Sequence, residues 1–246
     1  MKILVAISKA PDTTSKITFT DGDTKFNEAG VQFIINPYDE WYALVRGLEL
    51  KEANGGSVTT ITVGAADADP IIRKALAIGA DDAVRIDAAP TDAFFVATQI
   101  AEYAKDKGYD LIMTGKETVD YNGSQVGGLI AGLMDLPYLP NTSKLDVAGS
   151  IATVERDVKA GEEVLEAQLP IVLSASKGMA EQRIPNMRGI MAARSKKLEV
   201  IPAVAVEALT EILDYTLPAA KSAVKLIDPE NAGELIELLH SEAKVI

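Results

Sequence analysis

Cysteine is absent from all 246 residues, and Trp41 and His240 are the single tryptophan and histidine. Without thiols the chain has no disulfide, thiolate zinc site, iron–sulfur ligation or cysteine nucleophile. One histidine near the C-terminus supports neither an imidazole metal site nor a Ser-His-Asp triad, so a surface or packing role is expected for it. Basic side chains number 24 against 36 acidic, a net charge of -12. That balance argues against nucleic acid as a main ligand, because phosphate contacts need a basic footprint. Long apolar runs are also missing. Residues 3–7 (ILVAI) are too short for a signal-peptide core, and no stretch approaches the ~20 residues of a membrane span. The expectation is a cytoplasmic, metal-free protein that does no bond-making catalysis of its own and takes its chemistry from a cofactor.

Hydrophobic residues make up 48% of the chain, enough for one large domain, or one domain with an arm. Apolar runs alternate with helical patterns. Residues 2–8 read as a buried strand; residues 38–53 predict a helix with Trp41, Leu44, Val45, Leu48 and Leu50 inward. Asn36 as cap and Pro37 at the first position are its expected start. Strand 57–63, helix 69–78, strand 82–86, helix 92–107 and strand 109–114 repeat the pattern, and a helix opened by Gly123-Ser124 follows at 123–134. This alternation predicts an α/β fold with a doubly wound, mainly parallel, Rossmann-like sheet. Residues 143–156 and 157–169 predict an antiparallel hairpin extension, and Pro170 leads into a buried strand. Residues 1–197 are read as the nucleotide-binding domain, with loop 177–197 included, and 198–246 as a C-terminal arm.

Sheets of this kind bind ligands beyond the carboxyl ends of their strands, where strand order reverses. The ends here are marked by Ala6, Ile7 and Ser8, by Val63 and Gly64, and by Thr114, Gly115 and Lys116. After Lys116 comes a polar, glycine-bearing loop through Asp120, Tyr121, Asn122, Gly123, Ser124, Gln125 and Val126. Such a loop feeding a helix N-terminus offers free N–H groups to a phosphate; the same pattern also fits an ordinary capped helix packed tightly on a sheet. It is neither a GxxxxGK[ST] nor a GxGxxG motif. The turn Asn36-Pro37-Tyr38-Asp39 is a second candidate, with capping as its structural alternative. Lys116 suits a phosphate or solvent equally. Farther on, Arg183, Arg188, Arg194, Lys196 and Lys197 fall within fifteen residues that hold no acid, in company with Met179, Ile184, Met187, Ile190 and Met191. Cations framing flexible methionines suit a docking surface, although a solvated loop gives the same pattern.

Six segments in order carry a resemblance over nearly the whole chain: LVAISK with Pro11-Asp12, NPYDEWYAL, IRKALAIGAD, GKETVDYNGSQVGG, VERDVKAGEEVLEAQLPIVLSA and RIPNMRGIMAARSKKLEV. Together they resemble the β subunit of electron transfer flavoprotein. The resemblance implies a heterodimer with an α subunit that holds most of a redox-active FAD. It also implies electrons passing from acyl-CoA or other dehydrogenases to an electron transfer flavoprotein–quinone oxidoreductase or another acceptor, and a structural AMP in this chain. By position, AMP would lie near Ala6, the Asn36, Pro37, Tyr38 and Asp39 turn, and Val63. Its phosphate would lie on the loop from Gly115 and Lys116 through Asp120 and Asn122 to Val126. Tyr38 matches an aromatic position near the flavin ring, Glu163 an acidic residue that influences the flavin domain, and Met187 a leucine anchor of the docking loop. Partner docking is implied for Arg183, Met187, Arg188, Ile190, Met191 and Arg194. The terminal arm would pack on the α subunit. This sequence departs from the family at Ser8, where a basic residue is usual, and at Gln182 and Ile184-Pro185, where many relatives have Pro and Tyr-Ala. Two alternatives are a flavin-bifurcating β subunit with its own FAD and a stand-alone adenine nucleotide-binding enzyme. The DYNGSQVG loop favours AMP.

Overall fold

The computed structural model describes residues 1–118, 121–221 and 223–246. The main strands are β1 (Lys2–Ala6), β6 (Ser57–Val63), β7 (Asp82–Asp87), β8 (Leu111–Gly115), β9 (Tyr138–Ala148), β10 (Ile151–Val158), β11 (Gly161–Gln168), β12 (Ile171–Ala175) and β13 (Leu198–Pro202). Between β1 and β6 lie two-residue strands, β2 (Ala10–Pro11) with β5 (Phe33–Ile34) and β3 (Phe19–Thr20) with β4 (Lys25–Phe26). The helices are α1 (Glu40–Asn54), α2 (Asp69–Ile78), α3 (Ala93–Ala104), α4 (Val126–Met134), α5 (Met187–Ala193) and α6 (Ala232–Leu238).

The nine main strands form one sheet in the order β11-β10-β9-β12-β8-β1-β6-β7-β13. Seven of them run parallel, from β9 to β13 in that order, while β10 and β11 continue antiparallel from β9. The expected doubly wound sheet with a hairpin extension is therefore present. Winding reverses between β1 and β8, because β6 and β7 lie on one side of β1 and β8 and β12 on the other. Strand side chains sort with period two. Ile3, Val5, Leu111 and Met113 face Leu44, Leu48, Ile72 and Leu76 of α1 and α2, whereas Leu4 and Ile112 face Ile100 and Ile130 of α3 and α4. Helices on both faces bury the strands on both sides, which is why β1, β8 and β12 read as continuous apolar runs. Trp41, Leu44, Val45, Leu48 and Leu50 are buried as expected.

Three local expectations are corrected. Helix α1 starts at Glu40, not behind an Asn36 cap, and Asp39 at its N-cap position makes no side-chain capping bond. Buried Asn36 instead serves the neighbouring loop, which outcompetes a cap for its amide. Helix α4 starts at Val126 rather than Gly123, because Asn122 and Ser124 take φ of 51° and 51°, outside helical space. Residues 198–202, read as the start of the arm, form β13, paired in parallel with β7 at the sheet edge. Among the described residues beyond it no strand precedes α6, and the segment is held by Gln99, whose side-chain amide exchanges hydrogen bonds of 2.9 and 2.8 Å with the Val204 backbone.

Candidate functional site

The crevice at the β1–β8 switch point is built on polar contacts between segments far apart in sequence. β8 ends at Gly115, where a side chain is excluded. A Cβ there would come within 2.9 Å of Glu40 Cγ and 3.0 Å of Asp39 Cβ. The start of α1 can thus sit directly against the strand end. Glu40, itself buried, accepts from Ser8 N at 2.8 Å and from Ser8 Oγ at 2.7 Å, fixing the carboxyl end of β1. Ser8 therefore serves the frame of the crevice. Lys9 is likewise occupied, pairing with Glu28 at 3.0 Å and Asp67 at 2.6 Å and lying 3.9 Å over the Phe33 ring.

Asn36 and Asp39 hold the loop that follows β8. Asn36 is 1% exposed; its Nδ2 donates to Glu117 O at 2.6 Å and its Oδ1 accepts from Tyr38 N at 3.2 Å. The Asp39 carboxylate accepts from Glu117 N at 2.9 Å, and burial raises its pKa above the ordinary aspartate value despite that bond. Both polar groups of Glu117's backbone are therefore gripped by one turn. Lys116 lies 3.3 Å from Glu117 Oε1, and its N–H extends the sheet by donating to Ala175 O at 2.8 Å. Ser124 Oγ lies 3.5 Å from Glu117 Oε2. Asp120, expected in this loop, lies outside the described residues.

Gln125 stands at the N-cap of α4 and gives no side-chain cap, and the first amide to bond back is Leu129 N, to Gln125 O at 3.0 Å. The preceding amides of the first turn thus lack intrahelical acceptors and carry the positive end of the helix dipole. Gly127 lets this end approach the sheet: a Cβ there would lie 2.8 Å from Thr114 Oγ1 and 2.9 Å from the Tyr138 ring. Tyr38 and Tyr121, 52% and 62% exposed, stand on the flanking turn and loop. Ala6 and Val63 lie at neighbouring strand ends, the first buried and the second half-buried. The structure thus brings together Asn36, Pro37, Tyr38, Asp39, Gly115, Lys116 and the 121–126 loop.

The basic segment lies beside the same turn. Gln182 Nε2 donates to Pro37 O at 2.7 Å, a contact the sequence reading did not foresee. Arg183 makes a two-pronged bond to Glu52 at 2.6 and 3.1 Å, which holds the Glu52 carboxyl below its usual range. Asn186 caps α5 by accepting from Gly189 N at 2.9 Å. At its far end α5 is fixed to α2. Arg73 donates to Ala193 O and Lys196 O, both at 2.8 Å, and Lys196 Nζ reaches Leu76 O at 3.0 Å and Ala80 O. Lys197 pairs with Glu199 at 2.8 Å. Three of the five clustered cations are therefore engaged within the chain, leaving the side chains of Arg188 and Arg194 exposed without a hydrogen bond or ion pair among the described residues. Met179, before the segment, is 5% exposed and packs into the core, whereas between the anchors Ile184 is 82%, Met187 73%, Met191 57% and Ile190 40% exposed. A cavity of about 320 Å³ opens under them, beside Ala77, Ile184, Pro185 and Arg188. Elsewhere, Glu163 pairs across the hairpin with Arg156 at 2.7 Å, and His240 is exposed.

This switch-point crevice, with backbone donors at its rim, defines an α/β protein of the Rossmann-like class. Comparison with known proteins narrows the class. The family described as Electron transfer flavoprotein domain matches residues 23–206. The chain is 36% identical to Electron transfer flavoprotein subunit beta of Bacillus subtilis (strain 168), covering 100% of both chains. It is also 36% identical to the protein of that name from Syntrophomonas wolfei, over 100% of this chain and 98% of the relative. Protein FixA of Azorhizobium caulinodans is 35% identical, over 82% of this chain and 74% of the relative. The chain belongs to the electron transfer flavoprotein family, on its beta-subunit side. No helix among the described residues is long and apolar enough to cross a membrane.

Proposed function

We propose that this chain is the cytoplasmic beta subunit of a heterodimeric electron transfer flavoprotein that binds AMP and presents a docking segment to dehydrogenases. The observation that supports AMP most directly is the preset loop. Asn36 and Asp39 fix Glu117 on both sides, and the first-turn amides of α4 have no acceptors among the described residues, beside a strand end kept bare by Gly115. That donor set is mostly backbone, which fits a phosphate held for structure instead of one transferred. In this reading Ala6, Asn36, Pro37, Tyr38, Asp39, Val63, Gly115 and Lys116 surround the nucleoside and the loop from Asp120 through Tyr121, Asn122, Gly123, Ser124 and Gln125 to Val126 receives the phosphate. FAD, held mainly by the alpha subunit, supplies the redox chemistry when bound, and this chain positions it and does no bond-making of its own. Residues 203–246 pack on that subunit. Arg183, Met187, Arg188, Ile190, Met191 and Arg194 form the face to which acyl-CoA or other dehydrogenases dock, and a quinone oxidoreductase or another acceptor takes the electrons.

The test is the composition of the purified heterodimer. One flavin and one AMP per heterodimer in an acid extract is the expected result. Two flavins and no AMP would replace the reading with a bifurcating subunit, and a chain stable alone that turns over ATP would replace it with an enzyme.

A further inference from the structure

The docking segment is held at its two ends by anchors of different kinds. Its far end is bound to α2 and the turn after it: Arg73 donates to Ala193 O and Lys196 O, and Lys196 Nζ to Leu76 O and Ala80 O. Gly189 adds backbone contact there, since a Cβ at that position would overlap Ala77 O. None of these bonds involves a residue of the crevice. The near end is attached to the crevice itself. Gln182, 145 residues away in sequence, donates to Pro37 O, and the residues flanking Pro37 are those whose side chains and amides grip Glu117. Two hydrogen bonds, joined by the peptide link between Asn36 and Pro37, therefore connect the phosphate-side loop to the first residue of the docking segment.

We infer that Gln182 is a positioning residue that makes the docking segment sensitive to nucleotide: AMP in the crevice stiffens the 36–39 turn, and the Gln182 bond passes that stiffness to residues 183–188. The inference rests on the nucleotide and docking readings above. Its physical basis is that fixing the loop at Glu117 removes freedom from the turn that bonds it, so a second group attached to that turn loses less on ordering. The far anchor cannot carry the same signal, because its bonds join α2 and the turn after it to α5 and the bend that follows, and none of them involves the 36–39 turn or Glu117. Ile184 and Met187, the most exposed apolar residues of the segment, lie between the two anchors and next to the responsive one.

Hydrogen exchange of the full chain with and without AMP tests this, with calorimetry to establish binding. In the wild-type chain AMP is expected to slow the amides of residues 183–188 about fivefold, the effect of one neutral hydrogen bond. In Gln182→Ala and in the isosteric Gln182→Glu, which lacks the donor, AMP still binds but the slowing disappears; Gln182→Lys, which keeps a donor on a flexible stem, restores it. A bond with only a structural role would change exchange equally with and without AMP. Equal AMP-dependent slowing in Gln182→Ala overturns the inference, as does AMP binding to the wild type with no change in the segment. Absence of AMP binding to the wild type overturns the nucleotide reading and this inference together.

Discussion

Two segments at the crevice, the loop after β8 and the stretch from Gln182 to Lys197, are built in opposite ways. The first is preset by buried polar side chains. Asn36 and Asp39, 1% and 6% exposed, spend their hydrogen bonds on its backbone, and its own side chains are mostly polar. The second is pinned at its ends and leaves Ile184, Met187 and Met191 in water. A small anionic ligand gains from donors that are already fixed when it arrives, because ordering them would subtract from its affinity. A protein partner gains from apolar area that loses its water on contact, so the exposed side chains are useful there. The contrast separates what each segment costs the fold from what it contributes to binding.

That separation can be broken first at Asn36. Asn36→Ala leaves Glu117 O and Tyr38 N without these partners in a partly buried site, and is expected to lower stability by about 1–3 kcal/mol. It should also release both segments, since the turn carries Gln182 as well. Chemical denaturation and AMP affinity measure the two effects, and a variant of wild-type stability would show that the turn does not organise the crevice. Met187→Ala goes the other way. The side chain is 73% exposed, so stability should stay within about 0.5 kcal/mol. The KM for the reduced dehydrogenase should rise about tenfold, as for a truncated anchor, with the flavin spectrum unchanged. An unchanged KM would remove Met187 from the docking face.

The smallest expected effect is one of pH. Asp39 has its carboxyl raised by burial, so the native state binds its proton more tightly than the unfolded chain does. Stability from this group is complete below the ordinary aspartate pKa and declines as pH rises through the raised native value. Asp39→Asn keeps an oxygen acceptor for Glu117 N and should flatten this part of the stability–pH curve. Asp92 has the opposite sign. Burial raises its pKa, but the amides of Phe95, Leu209 and Thr210 outweigh it and leave it low. Its contribution is therefore lost as pH falls through the native value, so the two aspartates shape the acid limb from opposite directions. Thermal unfolding of Asp39→Asn and Asp92→Ala, followed from about pH 7 to below the ordinary aspartate pKa of ~3.9, separates the two contributions.

Much of this was legible in the sequence where local rules decide the outcome. The apolar runs of β1, β6, β8 and β12 and the glycine after α2 are local signals, and the strand–helix alternation followed from them. Asn36 was not legible as it acts, because an Asx residue before proline has the same local pattern whether it caps a helix or holds a distant loop. Its partner, Glu117, lies 81 residues away. β13 escaped for a related reason: five residues with two charged or proline positions carry a weak strand signal, and only pairing with β7 makes them a strand. The engagement of Arg183 and Lys196 was likewise invisible, since Glu52 and the carbonyls of α2 are distant in the chain. Composition gave the charge cluster, and the fold decided which charges were left over.

The order of strands sets a length that the docking segment exceeds. It leaves β12 and re-enters the sheet as β13, with β8, β1, β6 and β7 lying between. At ~4.8 Å per strand the crossing is about 24 Å, whereas the residues from 176 to 197 can extend to ~75 Å. Because β12 and β13 run parallel, part of that length is used in returning along the strands and over the helices, and the remainder is slack. That slack lies ahead of the α5 contacts to α2, where Ile184 and Met187 stand in solvent, so partner preference can change here without altering the sheet that holds the crevice.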